Sequence, residues 1–143
     1  MSGQSSKRVG QECLGFTARL LSRMISGIYD DALAEVGLKV SQFSLLNAIA
    51  NREDTQPAEL AKFLAMDEST LSRNVARMCA RGWLKLESGD DDQRSHQIAV
   101  TEKGMALLQK SYPAWQKAQS RLTQRLGSEG VTALKSIVKK LRS

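Results

Sequence analysis

The chain has 143 residues, 41% hydrophobic and 25% charged, with a formal net charge of +6. That length suits one domain, or one domain with a dimerisation extension, and is enough to bury a core, while the composition is that of a globular protein and excludes a disordered chain. The polar start MSGQSSKRVGQE lacks the apolar run of a secretory signal, no segment reaches the ~20 apolar residues of a membrane-spanning helix, and Cys13 and Cys79 make no disulfide framework, so a cytoplasmic protein without a membrane partner is expected.

A basic balance suggests a polyanionic partner, usually nucleic acid. The charge is unevenly placed, however. Residues 101–143 hold nine Lys/Arg and two Glu, a net of +7, whereas residues 1–100 are net −1. Local pattern, not bulk charge, has to carry the case.

In chain order, residues 1–11 read as a loose polar arm. Leu14, Ala18, Leu21, Ile25, Ile28, Ala32 and Val36 recur at spacings of three and four, which predicts a helix over 12–36 with one apolar stripe, stopped by Gly37. Ser41 suits the cap of a second helix ending near Arg52, with Phe43, Leu46 and Ile49 facing inward. Pro57 fits the first turn of a third helix, where its missing N–H costs nothing, and Leu60, Ala61 and Leu64 are its buried side. Asp67 is placed to cap a fourth helix over 68–81, with Glu68 favourable to the helix dipole, Leu71, Val75 and Met78 inward, and Gly82 at the end.

Leu84 and Leu86 alternate with Lys85 and Glu87, and Ile98 and Val100 with Gln97 and Ala99. This period of two predicts a pair of half-buried strands joined by the hairpin loop SGDDDQRS. Thr101 then caps a long fifth helix with Met105, Leu108, Tyr112, Trp115, Leu122 and Leu126 on one stripe, kinked near 109–112 by Pro113. Gly127 and Ser128 set off a last helix carrying Val131, Leu134, Ile137 or Val138, and Leu141. The fold class is mainly α with a small β-hairpin wing (α+β).

Two short helices separated by Ala65, Met66 and Asp67 have the spacing of a helix-turn-helix. The outer face of the second carries Ser69, Thr70, Ser72, Arg73, Asn74 and Arg77, groups of the kind that bond base edges and phosphates. Residues near the start of a recognition helix lie closest to the groove floor, which assigns base reading to Ser69, Thr70 and Arg73 and a phosphate contact to Arg77. On an arbitrary helix such a face is simply solvated, and a charged hairpin tip is ordinary. The order helix, turn, helix, hairpin sets this chain apart, and Arg94 in the hairpin has the charge to enter a minor groove.

The segment ELAKFLAMDESTLSRNVARMCARGWL followed by GDDDQRSHQIAVTEKG resembles the MarR family of winged helix-turn-helix transcriptional regulators. Asp92 and Arg94 match the Asp-x-Arg pair of that family's wing, and Thr101 and Gly104 match the residues opening the next helix. The resemblance implies a winged helix-turn-helix DNA-binding lobe over 41–101 with dimerisation helices at 12–36 and 105–143. It implies Arg94 in the minor groove with Asp92 orienting it, and a homodimer on a palindromic operator in double-stranded DNA. Ala65 stands where the family's turn often has Gly. Asp90, Asp91 and Asp92 leave the stretch 87–95 at −3, which repels phosphate.

The family resemblance also implies a ligand- or stress-responsive repressor with a small-molecule effector. In the peroxide-sensing relatives the reactive cysteine directly precedes Phe-Ala. Here Gly15 precedes Phe16, and Cys13, the candidate redox sensor, is offset by two residues. Arg19, Arg23 and Tyr29 suit either a ligand pocket or the surface. One His and two distant Cys leave little material for a nucleophilic triad or structural zinc, and no phosphate-cradling glycine motif occurs, so no enzyme, cofactor or metal is expected. The alternative function is a winged-helix dimer that binds another protein and no DNA.

Overall fold

The computed structural model describes residues 2–53, 55–88 and 96–142, arranged as α1 (Gly3–Glu12), α2 (Leu14–Leu33), a 3-10 turn (Ala34–Val36), α3 (Val40–Ala50), α4 (Pro57–Phe63), α5 (Glu68–Ala80), β1 (Leu84–Ser88), β2 (His96–Val100) and α6 (Glu102–Arg142). The chain divides into two compact units, one formed by residues 1–34 with 114–143 and the other by residues 35–113. No helix among the described residues is long and apolar enough to cross a membrane.

The 35–113 unit holds a continuous apolar core. Phe43, Leu45, Leu46 and Ile49 of α3, Leu60 and Ala61 of α4, and Leu71, Val75 and Met78 of α5 are all buried, together with Leu38, Trp83, Leu84, Ile98 and Leu108. Each large side chain so enclosed contributes about 1.5–3 kcal/mol. β1 and β2 pair antiparallel with Leu84 opposite Val100, Leu86 opposite Ile98 and Ser88 opposite His96. The Ile98 N–H also donates to the Thr55 carbonyl at 2.9 Å, which ties the loop between α3 and α4 to β2.

In the terminal unit Leu33, Ala114, Ala118 and Leu122 are buried, and the Tyr29 hydroxyl donates to Gln119 Oε1. Burial raises the Tyr29 pKa above its ordinary value.

Several local expectations are corrected. The polar start is helical from Gly3, capped by the Ser2 hydroxyl, which accepts from the Ser5 N–H. The chain leaves helical geometry at Cys13 (ψ 113°), so the single helix expected over 12–36 becomes α2 and a 3-10 turn. α3 starts at Val40, with the Lys39 N–H donating to the Gln42 side chain at 3.0 Å, so Ser41 lies inside the helix and is not its cap. Leu86 is exposed although it shares a face of β1 with Leu84, because the core covers that face only at the Leu84 end of the strand. Along α6 the backbone keeps helical dihedrals through Pro113 and leaves them at Gly127 (φ 72°, ψ 167°). The proline forgoes one hydrogen bond, but the glycine alone adopts a positive φ that ends the helix. A helix to Leu126 and a second from Ser128 are thus separated where the sequence expected them.

Candidate nucleic-acid interface

The interface begins with the turn between α4 and α5. The Leu64 N–H bonds the Leu60 carbonyl at 2.9 Å, Ala65 bonds Lys62 at 3.2 Å, and Met66 bonds Ala61 at 2.9 Å, so the backbone folds back on the end of α4. The reversal places Ala65 at φ 52°, and it is the only non-glycine residue with positive φ among those described. Asp67 then occupies the cap position of α5. Its carbonyl accepts from the Leu71 N–H at 3.0 Å, while its side chain makes no capping bond.

Leu71, Val75 and Met78 hold α5 down by one face. Ser69, Ser72, Arg73 and Arg77 are exposed on the other side, and Thr70 and Asn74 are half-buried. Three of the six expected contact residues, Thr70, Arg73 and Asn74, have partners within the protein. The Arg73 guanidinium donates to Thr70 Oγ1 at 3.3 Å, and Asn74 Nδ2 lies 4.0 Å from the Met66 sulfur, turned back toward the turn. Among the described residues neither Arg73 nor Arg77 is in an ion pair. The face therefore presents two guanidinium groups and three hydroxyls, with the amide partly withdrawn. Cys79, late on α5, is half-buried, and burial pushes its thiol pKa up.

The base of the wing is locked by the residues around Gly82. Gly82 (φ 80°) ends α5, its N–H bonding the Cys79 carbonyl at 2.9 Å, and the Trp83 N–H reaches the Met78 carbonyl at 3.0 Å. Arg81 lies over the Trp83 ring, 5.0 Å from its centroid. Thr101 closes the other end. Its N–H donates to the Trp83 carbonyl at 3.0 Å, its hydroxyl donates to the Gly82 carbonyl at 2.5 Å, and the same oxygen accepts from the Gly104 N–H at 3.0 Å as the cap of α6. Gly104 packs so closely that a Cβ there would run into the Trp83 carbonyl and the Val100 side chain. The end of α5, the two strands and the first turn of α6 are thereby tied together by three residues, Gly82, Thr101 and Gly104. The sequence marked all three, yet this cross-bracing has no local signal. Asp92 and Arg94, the expected wing contacts, lie outside the described residues.

Of the remaining candidates, Cys13 is exposed at the break between α1 and α2. Arg19 and Arg23 are exposed on α2 and do not join Tyr29. Among the described residues no group of three or more His, Cys, Asp or Glu could hold a metal ion.

A helix, a tight turn, a second helix with an outward polar face and an antiparallel hairpin are the parts of a winged helix-turn-helix. The MarR family profile matches residues 36–95. The chain is 24% identical over 129 residues to the multiple antibiotic resistance protein MarR of Escherichia coli, with 90% of each covered. It is 31% identical to the M. tuberculosis transcriptional regulator MOSR, solved in complex with DNA, over 92% of this chain and 100% of that one, with a TM-score of 0.77. A cysteine-to-serine mutant of E. coli MarR complexed with operator DNA is 23% identical and superposes with a TM-score of 0.82 over 94% and 96% of the two chains. The chain belongs to the MarR family, which is made up of transcriptional regulators.

Proposed function

We propose that the protein is a homodimeric, sequence-specific repressor that binds a palindromic operator in double-stranded DNA. The observation that carries this is the outer face of α5, where Ser69, Thr70, Ser72, Arg73, Asn74 and Arg77 are held on a rigid helix by three buried apolar residues. Arg73, Ser69 and Thr70 read base edges, with Thr70 steadying the Arg73 guanidinium, and Arg77 meets phosphate. Arg94 enters the minor groove beside it, oriented by Asp92.

One recognition helix reads few bases, so a two-fold dimer reading two half-sites one DNA turn apart is the economical arrangement. The terminal unit, residues 1–34 with 114–143, supplies the dimer contact, and the unit of residues 35–113 reads the DNA. Val9, Leu14, Phe16, Leu20 and Met24 near the start, and Ile137, Val138 and Leu141 near the end, are large apolar side chains left exposed in a single chain. The structures similar to this one include CouR of Rhodococcus jostii bound to p-coumaroyl-CoA, and a small-molecule effector fits the reading proposed for this chain. The protein works in the cytoplasm and performs no catalysis.

Selection from a random duplex pool, followed by titration of the winner at several salt concentrations, tests the reading. Recovery of a two-fold site with an affinity that falls steeply with salt is expected, because phosphate contacts release counterions. No enrichment, or salt-independent capture of a protein partner, would leave the interaction module in its place. A transcription assay showing only activation would remove the repressor element.

A further inference from the structure

The chain's positive charge belongs to the terminal unit and not to the unit that carries the proposed reader. Residues 35–113 hold ten Lys/Arg and eleven Asp/Glu, a net of −1, whereas residues 1–34 with 114–143 hold eleven and four, a net of +7. Part of that excess is organised. Along the 114–126 stretch of α6, Gln116, Lys117, Ser120, Arg121, Gln124 and Arg125 are all exposed, and their i, i+1, i+4, i+5 spacing places them in one two-wide row. No Asp or Glu occurs between Glu102 and Glu129, and among the described residues none of the three cations is in an ion pair.

The apolar residues of the same stretch are accounted for. Ala114, Ala118 and Leu122 are buried, and Trp115 and Leu126 are half-buried, so no large apolar side chain is exposed between 114 and 126. That absence selects among polyanionic partners. A membrane surface holds a basic helix by inserting apolar side chains beside the charges, and a protein partner is anchored by buried aromatic or aliphatic groups. This row offers neither. Its guanidinium, ammonium, amide and hydroxyl groups are the types that bond phosphate oxygens without reading sequence. Three cations spread over about 12 Å of helix face several charges of a duplex, which carries one per ~1.7 Å of axis.

We infer that the Lys117–Arg121–Arg125 row is a second, sequence-independent contact for the phosphate backbone of duplex DNA, separate from the recognition helix. The inference rests on the operator-binding reading above. The duplex is supplied either by the flank of the bound operator or by another DNA segment, which the protein then bridges.

The test compares the wild type with the triple variant Lys117→Gln, Arg121→Gln, Arg125→Gln, and with a charge-preserving set, Lys117→Arg, Arg121→Lys, Arg125→Lys. Circular dichroism and sedimentation confirm fold and assembly of each. Two arms separate the sources of DNA. In the first, operator duplexes with and without long flanks are titrated against salt. In the second, an immobilised unrelated duplex captures a labelled operator duplex only through the protein. In one arm or the other the glutamine variant should lose the wild-type behaviour, with the slope of log affinity against log salt flattening by about 2 to 3 per protomer engaged, and so by about 5 where both protomers of the dimer contribute, at roughly 0.9 per phosphate contact. The charge-preserving set should retain it. All variants should keep the wild-type preference for the short operator over random duplex. Equal behaviour of wild type and glutamine variant in both arms would overturn the inference, as would a loss confined to sedimentation with anionic phospholipid vesicles. Failure of the wild type itself to prefer the short operator would instead overturn the operator reading.

Discussion

Of the 18 apolar side chains buried among the described residues, 14 lie in the 35–113 unit and four in the terminal unit, while eight of the 12 exposed large ones lie in the terminal unit. The first unit closes its core within one chain: three helices and a hairpin cover each other, and the polar remainder of α5 is left outside. The terminal unit consists of long helices with no sheet and no short cross-connection, so apolar side chains remain uncovered. Charge divides in the same sense, −1 against +7. A face that reads bases depends on a few placed donors, whereas long-range attraction depends on summed charge, and the two can reside in different parts of one molecule.

The largest effect expected is on the terminal unit. Phe16→Ser with Met24→Ser removes two exposed apolar side chains per chain. If they meet a second copy, symmetry counts each twice, and at about 1.5 kcal/mol or more apiece the dimer weakens by about 6 kcal/mol. Sedimentation at micromolar concentration should show monomer with unchanged helicity; an unchanged dimer would show that other residues make the contact.

Next comes the bracing of the reading unit. Gly104→Ala forces a Cβ against the Trp83 carbonyl, a backbone atom that cannot swing aside. A loss of about 3 kcal/mol is expected from such overpacking, read as a lower urea midpoint. A change below the error of the measurement would mean that the first turn of α6 and the wing base are not locked together.

Smaller again are the contacts with DNA. Arg73→Ala and Arg94→Ala should each weaken operator binding by about 1–3 kcal/mol without altering the unfolding midpoint. Equal affinity in a folded Arg94 variant would take the wing out of the interface. The smallest change is a gain. Ala65 sits at φ 52°, a conformation that costs an L-residue about 1–2 kcal/mol and glycine little. After the extra backbone entropy glycine loses on folding, Ala65→Gly should add about 0.5–1 kcal/mol of stability, seen as a higher melting temperature; a lower one would show that the alanine methyl is needed in the turn.

Much of the reading unit was legible before any coordinates. The inward sets Phe43–Leu46–Ile49 and Leu71–Val75–Met78 follow from periodicity alone, because a helix buried on one face repeats its apolar residues every three or four positions. Pro57, Gly37, Gly82 and Gly127 mark boundaries through backbone restrictions that act within one or two residues. Even the departure at Ala65 was visible as a missing glycine. Where the structure departs from the local pattern, a competing local choice won. Ser41 was displaced as a cap by the Lys39–Gln42 pair, the polar arm found a cap in Ser2, and Pro113 sits in a helix long enough to continue past one lost bond.

The sequence by itself determined the element order, the outward polar face of α5, the family and the separation of charge between the two parts of the chain, since each is a property of neighbours or of counting. Tertiary structure alone decided that Leu86 is exposed while Leu84 is buried, that Asn74 turns back toward Met66, and that Thr101 and Gly104 grip the Gly82–Trp83 backbone. It also decided that, among the described residues, the cations of 114–126 are exposed and in no ion pair. These depend on which groups from distant positions meet, and no local pattern carries that information.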